Sequence, residues 1–309
     1  MINRILIRIK VVQMVYSYLL TKDDMKMTEA YNNLMFSMDK AYELYHYLLL
    51  LPLELTRLQE ARLDNAKNKY LPTEEDLNPN TKFIDNKFVK KLENCQMLQD
   101  YLSETPISWA DSDVYLRLTL DKILNSDIYK AYMETPSSDL AADCELWREL
   151  MKKVVLSDDV LAESLEEKSV YWNDDLDVIG TFVLKTIKRF AEESYCELLP
   201  QFKDDEDRDF VEKLFFTSIE NQSRYMELID KFVDKSSWET ERLAFMDIVV
   251  LLVALAEVEK VPSVPTKVTL NEYIEIAKYY STAKSGQFVN GILNSIINYL
   301  KKEGLLVKN

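Results

Sequence analysis

Apolar positions along this chain recur at helical spacing and almost nowhere at strand spacing. Ile2, Ile5, Leu6, Ile9, Val12, Tyr16 and Leu19 form one stripe, which predicts an amphipathic helix over residues 1–20. A long helical region follows from Thr28 and Tyr31 toward Lys69, with Pro52 as its kink or break. Residues 69–82 read as a loop, since Pro72, Pro79 and the polar run TEEDLNPN interrupt the pattern. Helical patterns resume over 85–103, 111–133 and 139–156, separated by Thr105-Pro106 and by Thr135-Pro136-Ser137-Ser138. Ser157-Asp158-Asp159 reads as a cap, Asp174-Asp175 precedes a helix that Pro200 ends, and residues 203–209 are an acidic loop or helix start. The run Ile248–Ala256 is apolar nearly all round, which predicts burial on every face, with the central block as a candidate cover. Pro262 and Pro265 break that helix. Thr269 then opens another, at capping-box spacing from Glu272, with Val268 and Tyr273 placed for a hydrophobic staple. In the last helix Phe288, Ile292, Ile296 and Leu300 recur every four residues beside Val289, Leu293 and Ile297. Gly304 suits its end, after Lys301 and Lys302.

Composition sharpens this into an all-α fold. There are only 4 glycines and 8 prolines in 309 residues, too few for the turns that a sheet protein needs. The chain is long enough for one large or two ordinary domains, and 47% apolar residues suffice for a substantial core. Phe83, Ile84, Trp109, Tyr115 and Trp147 read as packing residues of the central block. No repeat of fixed period occurs. Leu44–Leu51 and Ile248–Ala256 are too short to span a bilayer, and Arg4, Arg8 and Lys10 interrupt the N-terminal stripe as no signal peptide would allow. A cytoplasmic protein is expected.

Charge is distributed unevenly. The net charge is −15. Residues 1–22 carry four cations and no acid, and residues 261–309 carry six lysines against three acids. The acidity therefore lies between the two ends, and if the ends meet they make a basic patch on an acidic protein.

Catalytic chemistry finds little support. His46 is the only histidine and lies in the apolar run YELYHYLLLL, where a packed ring is the better reading. Cys95, Cys144 and Cys196 are widely spaced and odd in number, which suits reduced thiols rather than a zinc site or disulfides. Gly286 and Gly291 have P-loop spacing, but Ile292-Leu293 follows where Lys-Ser/Thr is required. No GxSxG elbow or dinucleotide fingerprint is present. We expect no enzyme, no cofactor and no metal.

The strings VTLNEYIEIAK and QFVNGIL resemble the C-terminal signature of the NusB family of transcription antitermination factors. Trp238, Arg242, Leu243, Asp247, Leu251, Ala254 and Glu257 fall at that family's spacing, and Arg4, Arg8 and VVQMVYSYL resemble its first helix. The likeness covers roughly residues 1–20 and 210–306. It implies a NusB-like all-helical core over 1–20 plus 205–309, with a helical insertion over 21–204, part of which completes the core.

The resemblance also implies a function: a non-catalytic factor binding boxA-like single-stranded RNA together with NusE, a small-subunit ribosomal protein. It would act in ribosomal RNA transcription and reach the RNA polymerase elongation complex indirectly. Arg4, Arg8 and Lys10 would contact phosphates, which positions RNA without reading sequence. Here Ile5, Leu6 and Ile7 occupy a stretch usually richer in arginine. Tyr16 and Tyr18 would stack on bases or pack in the core. Lys284, Gln287 and Asn290 would meet RNA at the start of the last helix, with Lys267 and Lys278 as outer phosphate contacts. Phe288 would anchor the core close to RNA, and Gly291 would allow close helix packing. Asp247 would face NusE. The competing reading is an acidic all-helical protein-interaction scaffold that keeps the NusB core but not RNA binding.

Overall fold

The computed structural model describes residues 1–233 and 244–306, and it is helical almost throughout. Trp238, Arg242 and Leu243, quoted above for the resemblance, lie outside the described residues. The helices, in chain order, are α1 (Arg4–Thr21), α2 (Met27–Lys67), α3 (Glu74–Leu77), α4 (Lys87–Glu93), α5 (Gln96–Glu104), α6 (Asp113–Asn125), α7 (Asp127–Glu134) and α8 (Leu140–Leu150). They continue with α9 (Asp159–Lys168), α10 (Leu176–Phe190), α11 (Asp205–Glu220), α12 (Gln222–Phe232), α13 (Phe245–Lys260), α14 (Thr266–Tyr280) and α15 (Ser285–Lys302). The all-α expectation holds. Among the described residues extended pairing is limited to one isolated bridge, Ile2 with Phe202. No helix among them is long and apolar enough to cross a membrane.

Side-chain caps fix many of the boundaries. Asn3, Asn86, Ser126, Asp139, Asp158 and Asp204 each accept an amide hydrogen bond at the start of the helix that follows. The helices expected over 85–103 and 111–133 are each divided, at Asn94-Cys95 and at Ser126, and the short helix α3 lies within the expected loop. At three further places the surroundings decide how a helix runs or ends. Pro52 lies inside α2 without dividing it, because buried leucines on both sides hold the helix through the one lost amide bond. α10 ends at Phe190 rather than Pro200, since the Lys91 ammonium donates to the carbonyls of Phe190, Glu192 and Glu193 and so satisfies its C-terminus. α14 begins at Thr266, directly after Pro265, so Thr269 is no cap. Thr269 turns inward instead, and Val268, 41% exposed, forms no staple over the fully buried Tyr273.

By their contacts the residues fall into two units. The first comprises Met1 and Asp39–Gln201, the second Ile2–Met38 and Phe202–Asn309. In the first, α8 packs against α4, α7 and α10 and runs on into a π-helical turn over Met151–Val155. Trp109 and Trp147 are fully buried there, and the Trp109 indole donates to the Tyr47 carbonyl at 2.8 Å. His46 is buried too. Its Nδ1–H donates to the Tyr42 carbonyl at 2.8 Å and its ring stacks on Tyr101 at 3.5 Å. Burial pushes its pKa down to about 4, and the carbonyl bond only partly offsets this.

The second unit also takes in the first part of α2. Tyr31 packs its ring 5.1 Å from Phe216 and donates to Glu212. At the centre of this unit is α13, whose neighbours are α1, α11, α12, α14 and α15. Val249 to Ala256 are all fully buried. The cover expected from the central block is thus provided by helices of the same unit.

Candidate nucleic-acid interface

The first cation of α1, Arg4, is about a third exposed. It sits 3.6 Å from Glu206 and 3.6 Å from Asp207, with its guanidinium over the Phe210 ring. Together with Lys213, Lys260, Glu206, Asp209 and Phe210 it lines a cleft of about 350 Å³ with charges of both signs.

Arg8 is 2% exposed and departs from the expected role. Its Nε and Nη2 donate to the two oxygens of Glu257, both at 2.8 Å. Thr269 Oγ1 and the Tyr273 hydroxyl donate to the same carboxylate at 2.8 and 3.1 Å, and Glu272 lies 3.7 Å from Arg8. A carboxylate has about four acceptor positions, and Arg8 Nε, Arg8 Nη2, Thr269 and Tyr273 all donate to this one. Burial alone would lower the Arg8 pKa; the hydrogen bond and charge of Glu257 outweigh it and raise it. Tyr273 is held well above the ordinary phenol value by burial and then by the Glu257 charge. Arg8 is therefore part of a core ion pair and no phosphate contact. Lys10, 5% exposed, is likewise no surface cation. The helix that carries both is buried along Leu6 to Val12.

Tyr16 is half-buried with its ring 5.2 Å from Phe245, and Tyr18 is half-buried. On α14, Lys267 and Lys278 are exposed. Lys278 pairs with Glu275 at 2.6 Å. Its stem crosses Gly286 so closely that a Cβ there would stand 2.7 Å from Lys278 Cγ.

The remaining candidates converge at the start of α15. Lys284, Gln287 and Asn290 are exposed, and Phe288 is 8% exposed. Lys284, Gln287, Phe288, Gly291, Ile292 and Ser295, with Phe232 of α12, line a groove of about 340 Å³. Gly291 does not serve close helix packing, as expected above: a Cβ there would meet nothing within 4 Å. Asn290 is tied to its own helix, accepting from Asn294 at 2.6 Å. An exposed ammonium, an amide and aromatic carbon beside a helix N-terminus can take a phosphate and a neighbouring base.

Asp247 is 5% exposed and so does not stand out toward a partner, as the resemblance implied. Its Oδ2 accepts from Oγ of Ser285, the first residue of α15, at 2.9 Å. Ser285 Oγ lies 3.0 Å from the Thr282 amide nitrogen, 2.8 Å from Thr282 Oγ1 and 3.1 Å from Ser281 Oγ. Sequence reasoning gave no role to Phe232, Ser285 or Glu257. Only Glu257 left a signal, as an acid ending a run of nine aliphatic residues. Among the described residues no group of three or more His, Cys, Asp or Glu could hold a metal ion.

Comparison with known proteins places these residues in a family. The model of the NusB family matches residues 175–298. The chain is 36% identical over 141 residues to the transcription antitermination protein NusB of Salinibacter ruber, covering 46% of this chain and 81% of that protein. It is 42% identical over 102 residues to the protein of that name in Chloroherpeton thalassium, covering 33% of this chain and 47% of that one. A third, from Listeria monocytogenes, is 35% identical over 105 residues, with 34% of this chain and 80% of that protein covered. No solved structure matches.

Proposed function

The chain belongs to the NusB family, and from that premise we propose that it is a non-catalytic transcription antitermination factor that binds boxA-like single-stranded RNA together with NusE. The observation that carries this reading is the groove at the start of α15. It combines the exposed cation Lys284, the amide of Gln287, the aromatic residues Phe288 and Phe232, and an open rim at Gly291. Unpaired bases offer faces that stack on aromatic carbon, and their phosphates need cations nearby. Lys267 extends the positive surface along α14, and Lys278 adds less because Glu275 already pairs with it. Arg4 makes a weaker contribution, because Glu206 and Asp207 already neutralise it. Asp247 is left out of the NusE contact, and the elongation complex is reached through the RNA and NusE.

A second reading draws on the same N-terminal helix. With Arg8 and Lys10 buried and Arg4 paired, α1 offers RNA little charge, as an acidic protein-interaction scaffold would require. The two readings separate in fluorescence anisotropy of a labelled boxA-like RNA, with and without NusE, across a salt series. Binding that tightens with NusE, weakens with salt and drops for Lys284→Ala supports the first. No binding in either condition supports the scaffold.

A further inference from the structure

We propose that Asp247 is a positioning residue for the RNA groove, holding the turn before α15 through the Ser285 hydroxyl; the proposal rests on the RNA reading above. A serine hydroxyl has one proton to give and two lone pairs with which to accept. The Asp247 carboxylate only accepts, so at 2.9 Å it takes the Ser285 proton. Ser285 Oγ must then accept from Thr282, whose amide and hydroxyl lie at 3.0 and 2.8 Å. One buried carboxylate on α13 thereby sets the direction of the hydroxyl hydrogen bond between Ser285 and Thr282 and leaves the Ser285 lone pairs facing the Thr282 amide. Ser285 is itself 1% exposed, so water does not compete for these bonds.

The groove's polar groups are attached to that turn. Lys284 immediately precedes Ser285, and Gln287 and Phe288 follow within the first turn of α15. All three line the groove. Remove the acceptor, and Ser285 can turn its proton to Thr282 or Ser281, so the turn loses its unique arrangement. The lysine would then sample several positions rather than one, and each phosphate contact would have to be ordered on binding. The carboxylate does not touch RNA; it acts only through Ser285.

The test uses the full chain, saturating NusE and a fluorescein-labelled boxA-like RNA. Asp247→Ala and Ser285→Ala should each weaken binding by a similar factor, roughly 5- to 20-fold, and the double variant should be no weaker than either, as expected for two members of one network. Asp247→Asn keeps an oxygen acceptor and should restore affinity to within about twofold. Lys284→Ala, costly in the unaltered chain, should cost little in the Asp247→Ala background, a coupling that simple loss of stability would not produce. Amide exchange at Thr282 should quicken in Asp247→Ala and stay slow in Asp247→Asn. Full affinity of Asp247→Ala, or losses that add in the double variant, would overturn the positioning role alone. Failure of the unaltered chain to bind the RNA would overturn the RNA reading and the positioning role with it.

Discussion

Arg8 and Glu257 meet in the core as a two-point pair, both bonds 2.8 Å, with side chains 3% and 0% exposed. Removing one member breaks the buried two-point pair, which typically costs about 3–5 kcal/mol, and for Arg8 leaves only the longer contact to Glu272 at 3.7 Å. We expect Glu257→Ala to lose about that much in urea unfolding. The change also strands the hydroxyls of Thr269 and Tyr273. The double variant Arg8→Met/Glu257→Met should be far more stable than the sum of its single changes. Additive losses would mean that the pair contributes nothing as a pair.

His46 makes stability depend on pH in a definite direction. Its folded-state pKa is lowered from 6.5 to about 4, so between those values the unfolded chain binds more protons than the folded one. No difference exists well above pH 6.5, and stability is lost as pH falls toward 4. Comparing pH 7 with pH 4.5, wild type should lose roughly 2–3 kcal/mol more than His46→Leu. Equal losses in the two proteins would show that the ring is protonated in the folded state.

Lys284 is expected to act as a phosphate contact. Its replacement by alanine should reduce the slope of log affinity against log salt by about 0.7, the value for one phosphate on a single strand. Arg4→Ala should change the slope less, since its charge is already matched by Glu206 and Asp207. An unaltered slope in Lys284→Ala would remove that residue from the interface.

Gly291 separates folding from binding. It lies inside α15 with open space where a Cβ would be, so Gly291→Ala should stabilise the helix by roughly 0.5–1 kcal/mol. Gly291→Leu should keep the fold, as judged by thermal unfolding, but project into the groove and weaken RNA binding. If the leucine variant binds like wild type, the groove is not where the RNA lies.

The three cysteines should divide cleanly toward a thiol reagent. Cys196 is exposed, whereas Cys95 and Cys144 are buried. Burial pushes the Cys95 thiol up, and that of Cys144 up to about 12, and only the thiolate reacts. One equivalent should react quickly with Ellman's reagent in the native protein, and three after denaturation. Fast reaction of a second thiol would place the opening of the first unit within the assay time.

The existence of the helices was legible from apolar spacing, and the capping residues Asp158 and Asp204 lie in segments that the sequence marks as helix starts. Where the reading missed, the cause was a partner remote in sequence. Nothing near Phe190 says that Lys91, ninety-nine residues earlier, will close its helix. Nothing near Arg8 says that Glu257, 249 residues on, will neutralise it, so an arginine destined for the core looks like one destined for phosphate. The cluster of Lys284, Gln287, Phe288 and Asn290 was legible because it lies within two turns of one helix. Phe232 was not, because its place beside them depends on how α12 packs on α15.

Helix α13 carries a carboxylate near each end, Asp247 and Glu257, with nine aliphatic residues between. An aliphatic rod packed on every side holds almost no information about its own register, since a slip by one turn exchanges one branched side chain for another. The two carboxylates supply it. They are about 15 Å apart along the axis. One meets Ser285, the other Arg8, Thr269 and Tyr273. A single such point would leave a pivot. Two points, like dowels in a joint, fix both the rotation and the height of the rod, and with them the starting position of α15.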